Sequence, residues 1–146
     1  MDFHAQRESA PPVLVVDDNT DIRETVRLML EDEGYTVLEA PDGQEALKYL
    51  RSSAERLIVL LDHIMPGMDG MQTLVTIADE PALTRRHTYI MLTADGRTGP
   101  THLMSDGDEW IVPVLAKPFD LDDLLAAVAR ARGDLLAVSY HRTGEP

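Results

Sequence analysis

Residues 13–19, VLVVDDN, and residues 57–63, LIVLLDH, together decide the fold. Each is a short apolar run that ends abruptly in aspartate: Val13 to Val16 before Asp17 and Asp18, and Leu57 to Leu61 before Asp62. Apolar runs of this length bounded by polar residues read as strands, being shorter than a buried helix. Their apolarity is continuous, as expected of strands covered on both faces in a parallel sheet.

Outward from these two strands the chain alternates. Ile22, Val26, Met29 and Leu30 recur at helical spacing, and Gly34 stands where a helix C-terminal glycine belongs. Tyr35 to Glu39 alternates as a second strand, and Asp42-Gly43 leads into a helix carrying Ala46, Leu47 and Leu50. After the turn at residues 66–70, PGMDG, a helix spans Met71 to Ala78. Tyr89 to Leu92 reads as the fourth strand and Ile111 to Ala116 as the fifth. Asp120 then caps a last helix with Leu121, Leu124, Leu125 and Val128. Such β/α units with right-handed crossovers imply an α/β protein, a flavodoxin-like doubly wound five-stranded parallel sheet of order 2-1-3-4-5. Ligands in that architecture bind beyond the carboxyl ends of the strands, at the switch point between strands 1 and 3.

The length of 146 residues suits one domain. Residues 1–12 read as a disordered lead-in, 13–132 as the domain, and 133–146 as a C-terminal tail or an extension of the last helix. The extension is suggested by Leu124, Val128, Ala131 and Leu135, which keep helical spacing through Gly133; Leu136 and Val138 would then join a stripe for partner docking or fray against the core. There is no cysteine, which removes thiol catalysis and thiolate metal sites. The first dozen residues lack the apolar stretch of a signal peptide, and no run approaches a membrane span, so a cytoplasmic protein without membrane contact is expected. Asp and Glu outnumber Lys and Arg by 26 to 13, a formal charge of −13 that opposes direct binding to nucleic acid. Solubility alone accounts for such acidity as well as a cation site does.

The motifs favour the cation site. Asp17 and Asp18 end strand 1 and Asp62 ends strand 3, so three carboxylates flank the switch point. Carboxylate oxygens in such a group suit Mg2+ or Mn2+. Thr93 ends strand 4 and Lys117 ends strand 5; a hydroxyl and an ammonium there would clamp phosphoryl oxygens. Singly, Thr93 also reads as a cap and Lys117 as a surface charge. A carboxylate nucleophile needs no general base at neutral pH, so no His, Ser or Cys dyad is called for. His63 beside Asp62 is expected to point away from its neighbour and stay out of the chemistry.

The stretches VLVVDDN, VLLDHIMPGMDG, IMLTA and LAKPF, with GYTVLEAPDGQEAL between the first two, resemble a response-regulator receiver domain of two-component signalling over about residues 13 to 132. The resemblance implies that Asp62 takes a phosphoryl group from a phosphohistidine of a histidine kinase or phosphotransfer protein. It implies Mg2+ held by Asp18, by Asp17 through water, by Asp62 and by the backbone carbonyl of Ile64. Thr93 and Lys117 would each bind a phosphoryl oxygen, and the Lys117–Pro118 bond would be cis. It further implies a signalling protein that catalyses only its own phosphorylation and slow dephosphorylation, acting through a downstream protein target, with a homodimer open.

Three features depart from that pattern. Val114 stands where receivers usually carry a switch aromatic, and Pro113 sits inside strand 5, which an edge position would tolerate. Residues 95–109, DGRTGPTHLMSDGDE, hold three glycines and a proline where helix 4 belongs, so that helix is expected to be short or irregular. Trp110 beside this stretch reads as core packing, with a partner-binding role as the alternative. Two rivals stand next to the leading reading. A degenerate receiver would act only as an interaction scaffold. A Mg2+-dependent aspartyl-nucleophile phosphatase would have its two strand-1 aspartates separated by one intervening residue, whereas Asp17 and Asp18 are adjacent.

Overall fold

The computed structural model describes residues 10–65, 67–96 and 99–144, with side chains through Leu135. Five strands form one parallel sheet in the order β2-β1-β3-β4-β7. They are β1 (Val13–Val16), β2 (Val37–Ala40), β3 (Ile58–Asp62), β4 (Thr88–Thr93) and β7 (Val114–Ala116). The helices are α1 (Thr20–Asp32), α2 (Gly43–Ser52), α3 (Gly70–Ala78), α4 (Pro81–Arg86) and α5 (Leu121–Gly144). The expected sheet order stands, with β7 in the place of strand 5.

Local chemistry sets the helix ends. Asn19 caps α1 by accepting from the N–H groups of Asp21 and Ile22. Gly34 follows that helix at φ 95°, a left-handed conformation that glycine adopts without a Cβ penalty. Asp42 caps α2 through the Glu45 N–H, and Asp69 with Gln72 forms a reciprocal capping box on α3. Asp120 and Asp123 exchange the same kind of bonds at the start of α5. That helix continues well past Gly133, and Leu135 is buried against the sheet. The side chains of Leu136 and Val138, proposed above as a stripe, lie outside the described residues, as do residues 1–9. Pro12 already joins the sheet edge, its carbonyl accepting from the Ile58 N–H.

Alternation along the strands feeds two cores. Leu14, Val16, Val59, Leu61, Tyr89 and Met91 face α2, α3 and α4. Val13, Val15, Ile58, Leu60, Ile90 and Leu92 face α1 and α5 through Val26, Leu30, Leu124 and Val128. Every residue of β3 is buried, so each of its leucines contributes about 1.5–3 kcal/mol of transfer free energy.

The crossover from β4 to the edge strand differs from expectation. The stretch read as a short or irregular fourth helix contains an antiparallel hairpin, β5 (Thr101–Ser105) with β6 (Asp108–Val112). Its two-residue loop is Asp106-Gly107, both at positive φ (54° and 82°), which is the conformation a tight hairpin turn requires. Thr101, Leu103 and Ser105 lie across from Val112, Trp110 and Asp108, and Leu103, Trp110 and Val112 pack on the first core. The hairpin thus covers the sheet face a helix would have covered. Trp110 meets Tyr89 edge to face at 5.3 Å, which bears out its packing role. The strand expected over Ile111 to Ala116 is consequently two strands split at Pro113. Having no N–H, Pro113 breaks the ladder there, while its carbonyl still accepts from Met91 at 2.9 Å.

His87, between α4 and β4, is buried and ties three segments together. Its Nδ1 accepts from the Leu57 N–H at 2.9 Å, which leaves the Nε2–H to donate to the Leu50 carbonyl at 3.0 Å. Burial pushes its pKa below the ordinary 6.5, the Leu50 bond opposes this, and Arg86 and Arg56 add to the depression. The unfolded chain therefore binds the proton more readily, so this residue's contribution is complete above about pH 6.5 and is lost as pH falls toward the lowered value. His87→Asn, which keeps an acceptor near the Leu57 N–H and does not titrate, is expected to remove that part of the acid sensitivity. Urea unfolding midpoints between pH 7 and pH 5 measure it: the wild type falls more steeply than the variant.

Candidate functional site

The parallel register brings the strand ends level. Asp17 follows β1 directly, Asp62 closes β3, Thr93 closes β4 and Lys117 follows β7. Oxygen atoms of Asp17, Asp18 and Asp62 lie within 4.8 Å of one another. Lys117 Nζ donates to Asp62 Oδ1 at 2.9 Å and stands 3.9 Å from Asp17 Oδ2. The Lys117–Pro118 bond is cis, as expected.

Asp17 and Asp62 are the buried members of the trio, Asp17 the more deeply, and Asp18 is exposed. Asp17 Oδ1 accepts from the Asn19 N–H at 2.9 Å, whereas its buried Oδ2 has no hydrogen-bond partner. Burial pushes its carboxyl above the usual range; the Asn19 bond opposes this, and the Asp62 charge adds to the rise more than Lys117 takes away. One ammonium therefore leaves three carboxylates undercompensated, and a buried oxygen points into the group unsatisfied. A divalent cation fits that donor set: hard oxygens, few protein ligands and room for water.

Two supporting features escaped the sequence reading. Arg23, one turn into α1, donates to the Asp17 carbonyl at 2.7 Å while pairing with Glu39 at 3.1 Å, which fixes the backbone of the acidic loop. Nothing in the sequence marks it apart from other helix arginines. Gly70, at the start of α3, donates to the His63 carbonyl at 2.8 Å. A Cβ there would drive into the Asp62 carbonyl oxygen and lie 2.8 Å from His63 Cα, so only glycine lets the helix approach the acidic strand end. The Asp69-Gly70 pair was visible as a turn, although its reason lies in that approach.

His63 meets a site residue that its position in the strand did not suggest. Asp62 pairs with Leu92, and the ladder continues with the His63 N–H donating to the Leu92 carbonyl at 2.9 Å. This carries the imidazole to Thr93, Nδ1 lying 3.3 Å from the hydroxyl. Ile64, two residues after Asp62, exposes its side chain to solvent. Val114 pairs with Met91 and packs at the edge of the first core.

Residues 13–129 match the family model described as the response regulator receiver domain. The chain belongs to the receiver family. Among its relatives, response regulator GtcR of Aneurinibacillus migulanus is 34% identical over 125 residues, 84% of this chain and 47% of that protein. The CAI-1 autoinducer sensor kinase/phosphatase CqsS of Vibrio cholerae is 36% identical over 120 residues, 80% of this chain and 17% of that protein. The receiver thus spans half the length or less of these curated relatives. A solved CheY-like receiver domain from Methanospirillum hungatei superposes with a TM-score of 0.73 at 31% identity, covering 87% of this chain and 98% of that one.

The tight approach at Gly70 has a measurable consequence. Gly70→Ala is expected to destabilise the receiver by about 1–3 kcal/mol, since rigid backbone on β3 must move. Gly133→Ala, with open space around the Cβ in the middle of α5, is expected to stabilise it by about 0.5–1 kcal/mol. Urea denaturation of the two variants checks both signs.

Proposed function

We propose that this receiver accepts a phosphoryl group on Asp62 from the phosphohistidine of a histidine kinase or phosphotransfer protein, and that the modified state changes its contacts with a downstream protein. The observation that carries this is the undercompensated carboxylate trio with Lys117 bonded to Asp62. In the transfer, an Asp62 carboxylate oxygen forms the new O–P bond as the imidazole N–P bond breaks. Such a reaction asks of the protein mainly positioning and charge neutralisation.

Asp18, Asp62 and the Ile64 carbonyl would hold Mg2+ or Mn2+, with Asp17 contributing through its unpartnered oxygen or through water. When bound, the cation supplies the positive charge that the trio lacks and that phosphoryl oxygens require. Lys117 already spans the gap between Asp62 and Asp17, and exchanges a carboxylate oxygen for a phosphoryl oxygen once Asp62 is modified. Thr93 offers its hydroxyl to another. Phosphorylation makes this edge more negative by about one unit. The domain reading of 13–132 follows the family match to 129 and the run of α5 beyond it. Among the described residues no helix is long and apolar enough to cross a membrane.

Incubation with acetyl phosphate and Mg2+ followed by intact-mass measurement tests this reading. A single phosphoryl adduct is expected, absent in Asp62→Asn and absent when EDTA replaces Mg2+. No adduct under any condition favours an interaction scaffold, and sustained turnover of unrelated phosphoesters favours a phosphatase.

The lifetime of the adduct follows from Ile64. An apolar side chain beside the acyl phosphate gives an attacking water no hydrogen bond to orient it. The isolated phospho-form is expected to persist for minutes or longer at neutral pH, and Ile64→Asn to shorten it. Decay of the adduct within seconds in the wild type contradicts this.

A further inference from the structure

We propose that His63 is a positioning residue that holds the Thr93 hydroxyl with its proton free for a phosphoryl oxygen; this rests on the reading of Asp62 and Thr93 above. A threonine hydroxyl has one proton to give and two lone pairs to fill. The Asp95 N–H donates into one lone pair at 3.3 Å. His63 Nδ1 lies at 3.3 Å from the same oxygen. That nitrogen is also 3.6 Å from Asp95 Oδ2, and a carboxylate beside a ring nitrogen favours the tautomer with its hydrogen there. Nδ1–H then donates into the second lone pair. Both acceptor sites of Thr93 are filled, and its proton is left for a third group.

The surroundings make this arrangement rigid. Thr93 is buried, its carbonyl accepts from the Lys117 N–H at 2.7 Å, and the His63 backbone is bonded on both sides, to Leu92 and to Gly70. The imidazole itself is mostly covered, its side chain 19% exposed. The hydroxyl is therefore set before any phosphoryl group arrives, and no reorganisation is needed when it does. Where the usual switch aromatic is replaced by Val114, the group touching Thr93 is His63.

Beryllofluoride, a stable stand-in for the phosphoryl group, tests the proposal by calorimetric titration of the full chain at saturating Mg2+. His63→Leu and His63→Gln are expected to weaken its binding by about tenfold, the worth of one well-placed hydrogen bond. His63→Asn, whose amide nitrogen reaches the position of Nδ1, is expected to restore binding to near the wild-type value. Affinity for Mg2+ alone is expected to be unchanged in all three, since a merely structural disturbance of the acidic strand end would lower it too. Equal or tighter beryllofluoride binding in the Leu and Gln variants overturns the proposal, the tighter case showing that His63 accepts the Thr93 proton and competes for it. Equal losses in the Asn and Gln variants overturn it as well. If the Leu variant fails to fold, the Asn and Gln pair decides. Absence of beryllofluoride binding by the wild type overturns the reading of Asp62 together with this one, whereas normal wild-type binding with unaffected variants overturns His63 alone.

Discussion

One ammonium set against three carboxylates is the constraint on which the carboxyl edge of this sheet depends. Lys117 bonds Asp62 directly and stands farther from Asp17, so charge in the buried part of the site is offset incompletely. Burial raises the Asp17 carboxyl and leaves one of its oxygens without a hydrogen bond. A fold that sought only stability would avoid such a cluster, because like charges out of water repel strongly. Its presence at the switch point of a parallel sheet fits the role proposed above, in which the site would bind positive charge and then a phosphoryl group.

The remainder of the structure keeps those groups in place. The apolar strands β1 and β3 run side by side through the core and end together, which sets Asp17 and Asp62 at one level. Arg23 holds the Asp17 backbone from α1, and α3 comes close enough behind Asp62 that only glycine fits at residue 70. Positioning here comes from backbone held on both sides, so the site residues themselves stay free to change partners. Lys117 illustrates this, being tied through its N–H to Thr93 while its Nζ remains able to exchange one oxygen for another.

Much of this was legible in the sequence because it rests on short-range rules. Continuous apolar runs ending in aspartate gave the central strands, helical spacing gave α1, α2, α3 and α5, and order of motifs gave the strand ends. The errors fall where a local signal supports two structures. Glycines in residues 95–109 were read as helix breakers, although Asp106-Gly107 between alternating Thr101, Leu103, Ser105 and Trp110, Val112 is equally a hairpin signal. The six-residue α4 was not read at all, being too short to show a period. His63 was placed correctly beside Asp62, but its meeting with Thr93 depends on the register between β3 and β4, which no stretch of sequence displays.

The hairpin and Val114 together restrict how a change at the site can leave it. Val114 offers no aromatic ring that could rotate beside Thr93 and carry a change to the face beyond β4. Main-chain bonds do connect them. The Lys117 N–H holds the Thr93 carbonyl at one end of β7, and the Pro113 carbonyl holds the Met91 N–H at the other. Pro113 is also the residue at which β6 gives way to β7, and Trp110 seats the hairpin on Tyr89 of β4. A shift of Lys117, were its Nζ to exchange a carboxylate oxygen for a phosphoryl one, would bear first on the three-residue edge strand that it follows, and through Pro113 on the hairpin. The hairpin's outer face carries Met104 and Ile111, both exposed, so a small tilt of this unit moves apolar surface that is already in contact with water. The short edge strand makes such a tilt cheap, since few ladder bonds resist it, whereas β3 and β4, buried and paired along their length, stay fixed.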